Sequence, residues 1–129
     1  MSNDTLANAL SGILNYDKTG KKEYTVHPAS KVTRKVLLIL NEQGYLGQGE
    51  ALTEARGGII KVNLLGNINK CGVIKPRFAV TMNEYEKFEK RFLPAKNVGV
   101  LIVSTIKGLM THEQAKESNL GGRLVAYCY

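Results

Sequence analysis

The chain has 129 residues, of which 43% are hydrophobic and 22% charged; this fits one compact unit or two small sub-domains and excludes a disordered tail. A chain of this length buries roughly two-thirds of its unfolded surface, so it needs neither metal nor disulfide staples. Eighteen Lys and Arg oppose eleven Asp and Glu, giving +7 and a pI near 9.5, a field that attracts polyanions such as nucleic acid and also suits acidic membrane surfaces.

Leu6, Leu10, Ile13 and Leu14 follow the i, i+4, i+7, i+8 spacing of one helical face. Asn3 or Asp4 can cap its start, and the helix should fade near Tyr16, before a polar turn carrying Lys18, Lys21 and Lys22. Glu23 to His27 alternates as a short strand, with Tyr24 and Val26 on one face. Pro28-Ala29-Ser30 leads into a second helix, with Ser30 as N-cap and Gly44 as C-cap. Val32, Val36, Ile39 and Leu40 are its expected buried stripe, and Leu37 and Leu38 widen the apolar surface. Lys31, Arg34 and Lys35 share another face near its N-terminus, where the dipole favours an anion. Tyr45 to Leu52 reads as a strand, 54–58 as a turn, and Ile59 to Leu65 as a strand with Ile60, Val62 and Leu64 facing one way.

Gly66 to Gly72 carries turn residues and marks the junction between the halves. Beyond it, Lys75-Pro76-Arg77 precedes a strand around Phe78 to Thr81, and Glu84 to Arg91 makes one or two helical turns ended by Leu93-Pro94. Val98 to Val103 is nearly all apolar, the pattern of a strand buried on both faces. A loop follows from Ser104 to Gly108, then a short helix capped by Thr111, then Gly121-Gly122 and a last strand from Arg123 to Tyr129.

The chemistry-bearing residues are few. His27 and His112 are the only histidines, and neither sits in a Ser-His-Asp order, a metal-ligand cluster or a nucleophile elbow. Phosphate-loop and dinucleotide glycine patterns are missing too, so no catalytic residue, metal or cofactor is expected. Cys71 and Cys128 lie far apart in sequence and read as reduced, buried side chains of an intracellular protein. No run reaches the roughly 18 apolar residues of a membrane span, and MSNDTLANAL lacks the basic start and apolar core of a signal peptide.

Basic residues at Lys31, Arg34, Lys70, Lys75, Arg77, Lys107 and Arg123 form either solvated faces or phosphate contacts. Ser104-Thr105-Ile106-Lys107-Gly108 is the sharper feature, with two adjacent hydroxyls, a lysine and a glycine at the edge of a sheet. As chemistry alone it is either a capped turn or a grip on ribose hydroxyls, phosphates and base edges. Shallow polar readout of that kind suits RNA better than a small molecule.

These residues carry an end-to-end resemblance. Leu6-Ala7-Asn8-Ala9-Leu10 with Ile13, Asn15 and Gly20-Lys21, Pro28-Ala29-Ser30-Lys31 and Gly44-Tyr45 are similar to the first half of the universal small-subunit ribosomal protein eight family. Asn69-Lys70-Cys71-Gly72 with Lys75-Pro76-Arg77-Phe78 resembles its archaeal and eukaryotic branch. The most specific stretch runs from Val103-Ser104-Thr105 through Gly108, Met110, Glu113 to Ala115 and Gly121-Gly122 to Tyr127.

The resemblance implies an α+β fold. An N-terminal α-β-α-β-β sub-domain, residues 1–69, would pack on a mainly antiparallel β RNA-binding sub-domain with a short helix, residues 70–129. It implies a cytoplasmic, non-enzymatic protein of the small subunit that clamps the central domain of small-subunit rRNA, supports assembly and translation, and touches neighbouring small-subunit proteins. Ser104, Thr105 and the loop to Gly108 would enter the RNA minor groove, Gly121 and Gly122 would keep the backbone close, and Ser30 and Lys31 would hold phosphates. Two departures stand out: Ile106 replaces a third hydroxyl usual in bacterial members, and Arg123 replaces an acidic residue. Alternatives are a module or small enzyme for a phosphorylated ligand at the same loop, and a regulator that binds its own messenger RNA.

Overall fold

The computed structural model describes residues 5–26, 31–53, 59–75, 77–95 and 98–129. The expected caps Asn3 and Asp4, His27, the Pro28-Ala29-Ser30 lead-in, the 54–58 turn and Pro76 lie outside these residues. Antiparallel sheets and helices make an α+β fold in two compact units, Met1–Lys70 and Cys71–Tyr129.

In the first unit, helix α1 (Thr5–Lys18) buries Leu6, Ala9, Leu10 and Ile13 along one face. It runs past Tyr16, because Asp17 continues that face into the interior and its carboxylate accepts the Gly66 N–H at 2.9 Å. Gly20, at φ +81, then turns the chain so that the Lys21 N–H donates to the Tyr16 carbonyl. Helix α2 spans Lys31–Glu42. Its buried face is Thr33, Val36, Leu37, Ile39 and Leu40, displaced from the expected stripe: Val32 and Leu38 are exposed and Thr33 is buried. The i, i+3, i+4, i+7 set runs from residue 33, a phase that a helix apolar on two sides does not disclose. Gly44, at φ +84, ends it, with the Tyr45 N–H reaching the Leu40 carbonyl. Strands β1 (Glu23–Val26), β2 (Leu46–Thr53) and β3 (Ile59–Leu64) form a sheet in the order β1-β3-β2, and Ile60, Val62 and Leu64 face inward as expected.

The second unit is built around its last strand. Strands β4 (Cys71–Val73), β5 (Ala79–Val80), β6 (Val100–Thr105), β7 (Gly108–Thr111) and β8 (Gly122–Cys128) pair in the order β4-β8-β6-β7, with β5 also on β8. The expected junction over 66–72 therefore ends earlier, because Cys71 and Gly72 already pair with Cys128 and Tyr127. The strand expected over Phe78 to Thr81 shortens to two paired residues. Helix α3 (Tyr85–Phe92) lays Tyr85 and Phe88 on one sheet face, against Ile74, Val80, Leu101, Val103 and Leu124. The Arg91 guanidinium caps this packing, 4.9 Å from the Phe78 ring and 5.6 Å from that of Phe92. Helix α4 (His112–Glu117) starts at Thr111, whose hydroxyl accepts the Gln114 N–H while the Gln114 side chain accepts the Thr111 N–H.

Candidate nucleic-acid interface

Strand β6 is the scaffold of the candidate site. Val100 to Val103 are buried on both faces, and the chain reaches solvent only at Ser104 and Thr105. The feature expected as a loop from Ser104 to Gly108 is a tight hairpin: Ser104 pairs with Leu109 and Thr105 with Gly108, leaving only Ile106 and Lys107 unpaired. Neither turn residue has a positive φ, so Gly108, at φ +108, takes up the reversal, in a region where L side chains are strained. A Cβ there would meet nothing within 4 Å, so conformation rather than space requires the glycine.

The two hydroxyls differ. Thr105 Oγ1 donates to the Gly108 carbonyl at 2.8 Å and accepts the Lys107 N–H at 3.1 Å, closing the hairpin from inside. Its only hydrogen is thereby engaged, and one lone pair remains for a ligand. Ser104 is exposed, and its hydroxyl makes no hydrogen bond among the described residues, so it is the freer polar group. Ile106 holds an apolar side chain 91% exposed at the tip, beside exposed Lys107.

Gly121 and Gly122 are required for space. A Cβ on Gly122 would lie 2.2 Å from the Ser104 carbonyl oxygen, and one on Gly121 would lie 2.6 Å from that of Val80. The glycine pair is thus wedged between the ends of β5 and β6. Arg123, the next residue, pairs with Ser104 on one side and Ala79 on the other. Residues in register across neighbouring strands share a sheet face. Ala79, Arg123, Ser104 and Leu109 therefore form one row, opposite the face that carries Val80, Val103 and Leu124 into the core. It is a shallow surface with a guanidinium between two small residues and a hairpin at one end.

Beside it, Glu84 accepts from both the N–H and the hydroxyl of Thr81, each at 3.0 Å, and these bonds hold its carboxyl below the usual range. Sequence reasoning missed Ala79, Leu109 and Glu84. The first two become site residues only through strand register, whereas Thr81-x-x-Glu84 is a readable capping pattern.

The other expected residues fall elsewhere. Lys75 and Arg77 are exposed where pairing along β8 is interrupted, between the Ile74–Val125 and Phe78–Leu124 hydrogen bonds. Lys31 and Arg34 sit on α2 of the first unit, the former exposed and the latter half-buried, and Lys70 ends that unit. Ser30 lies outside the described residues.

His112 proves to be architectural. It is 4% exposed; its Nδ1 accepts the Leu101 N–H at 3.1 Å, which places the ring hydrogen on Nε2, 3.3 Å from Glu89 Oε1. Lys116 pairs with the same Glu89 carboxylate. These bonds join α3, α4 and the buried start of β6. Burial lowers the His112 pKa from 6.5, outweighing Glu89, which raises it; Lys116 lowers it further and Glu113 raises it, while the Leu101 N–H, which needs a bare Nδ1, favours the neutral ring.

With this geometry in view, the chain matches the family model described as ribosomal protein S8 over residues 4–129. The chain belongs to the ribosomal protein S8 family. It is a ribosomal protein of the small subunit, in a family of structural RNA-binding proteins rather than enzymes, whose members bind small-subunit rRNA and neighbouring ribosomal proteins. Among the described residues no helix is long and apolar enough to cross a membrane, and no cluster of three His, Cys, Asp or Glu could hold a metal. A cleft on the α3 side is lined by Glu86, Glu89, Lys90, Leu93, Pro94 and Ala95, none of them a hairpin residue.

Two outcomes follow for this S8 chain. Gly122→Ala, pressed against backbone, is expected to cost about 2 kcal/mol or more, and Gly108→Ala, strained but in open space, about 1 kcal/mol; urea unfolding of the two variants measures the order. Because the folded state lowers the His112 pKa, its stabilising contribution is fully present above 6.5 and is lost as pH falls from there through the lower folded value. The urea midpoint should fall over that window in wild type and less in His112→Asn, whereas Glu84, whose carboxyl is held below the usual carboxylate range, acts only at more acidic pH.

Proposed function

We propose that this protein is a primary binder of the central domain of small-subunit rRNA, gripping an irregular RNA helix through the β6–β7 hairpin and the adjacent end of β8. The Arg123–Ser104 row carries this reading, a cation and an exposed hydroxyl on a surface that the glycine pair keeps flat. A-form RNA offers a wide, shallow minor groove lined with 2′-hydroxyls, and side chains on a flat face reach it without a pocket. Ser104 exchanges hydrogen bonds with those hydroxyls, Arg123 and Lys107 meet phosphates, and Ile106 lies against sugar or base by apolar contact. Thr105 acts mainly by holding the hairpin in shape, with its remaining lone pair turned to the RNA.

Supporting cations would come from Lys75 and Arg77 in the second unit and from Lys31, Arg34 and Lys70 in the first, where the Ser30 hydroxyl would add a neutral phosphate contact. Clamping this helix would support assembly of the subunit in the cytoplasm. The same surface would take a similarly shaped segment of the protein's own messenger. The phosphorylated-ligand reading is the less favoured, because the strand register at the hairpin presents a row of side chains on one sheet face.

Binding to a central-domain rRNA fragment tests the assignment. Arg123→Ala should weaken binding and reduce the salt slope by about one, and Ser104→Ala should weaken it several-fold at an unchanged slope. Thr105→Trp should abolish specific binding while the circular dichroism stays native. Wild-type affinity for Thr105→Trp at the same salt would overturn the site.

A further inference from the structure

The two cysteines are 57 positions apart in sequence, yet the register of the second sheet sets them side by side. Cys71 on the edge strand β4 is the direct partner of Cys128 on β8. The hydrogen-bond phase settles which kind of partner. The Ile74 N–H donates to the Val125 carbonyl at 3.0 Å, and 74 with 125 continues the register of 71 with 128. In an antiparallel ladder, hydrogen-bonded and non-hydrogen-bonded pairs alternate. Counting back from Ile74–Val125, the Gly72–Tyr127 pair is hydrogen-bonded and the Cys71–Cys128 pair is not.

Non-hydrogen-bonded pairs have the closer Cα atoms, about 4.5 Å apart, with their side chains leaning together. That spacing lies at the short end of the range a disulfide spans, so the register leaves the two side chains within bridging reach. Both residues are thiols.

We propose that Cys71 and Cys128 form an oxidation site that takes a small disulfide oxidant such as oxidised glutathione. Cys71 is the attacking group. It lies on a three-residue edge strand and is 5% exposed, whereas Cys128 is at 0% on a strand paired on both sides. Brief opening of so short an edge strand admits the oxidant. The Cys71 thiolate attacks one sulfur of the oxidant, forming a mixed disulfide and releasing one small thiolate. The Cys128 thiolate then attacks the Cys71 sulfur, forming the Cys71–Cys128 bond and releasing the second. Two protein thiols are oxidised, the oxidant's disulfide is reduced to two thiols, and the two thiol protons pass to those products. The bridge locks the first strand of the second unit to its last.

The test treats the folded, full-length protein with oxidised glutathione in native buffer and maps its peptides without reduction. The expected product is a monomer, two hydrogens lighter, with the Cys71 and Cys128 peptides joined. Cys128→Ser should instead retain glutathione on Cys71. A wild-type chain that carries glutathione adducts with no internal link, or that links only in unfolding concentrations of urea, would overturn the proposal; an unmodified Cys71 in Cys128→Ser would overturn the order of attack.

Discussion

The approach of β8 to the ends of β5 and β6 is the constraint on which the rest of the second unit depends. At Gly122 the backbone of β8 comes so close to the Ser104 carbonyl that even a methyl group has no room, and at Gly121 the same holds against Val80. Because both neighbours press on one glycine pair, the next residue is fixed between them, and Arg123 stands in register with Ala79 and Ser104. The opposite face of these strands is held by the core under α3, and the Glu89–His112–Lys116 cluster ties both short helices to the start of β6. A shallow surface of this kind keeps its shape because the backbone beneath it cannot relax, so its polar groups are positioned by the fold itself.

Within that frame the hydroxyls divide their work. A sequence shows Ser104 and Thr105 as equals, and the hairpin makes them unequal: Thr105 spends its hydrogen on the turn, and Ser104 keeps its own. The loss of a third hydroxyl at Ile106 weighs less than its sequence position suggests, because the tip is supported by Thr105 from within. Arg123 gains weight for the complementary reason, since it sits at the centre of the exposed row.

Much of the fold was legible where one signal was strong and local. The apolar run before Ser104 announced a strand buried on both faces, Thr111-x-x-Gln114 announced the start of α4, and Ile60, Val62 and Leu64 alternated as an amphipathic strand must. What escaped reading depends on partners remote in sequence. Strands β4 and β5 have three and two residues, too few to show a period, and exist through pairing with β8. Helix α2 was apolar on two sides, so its buried phase could not be told, and Val32 was exchanged for Thr33. The hydroxyl-and-glycine stretch looked like a loop because its pairing is decided by Gly108 and a side-chain bond rather than by alternation. The family resemblance located the candidate grip, and register supplied its floor, Ala79 and Leu109.

The central claim is that the β6–β7 hairpin faces the RNA. Ile106 is its most exposed point, so Ile106→Cys carrying a tethered iron chelate would map what lies against the tip in reconstituted small subunits. The account predicts strand cleavage confined to one irregular helix of the central domain, on both sides of its minor groove. Cleavage scattered over the rRNA, or confined to another domain, would contradict it.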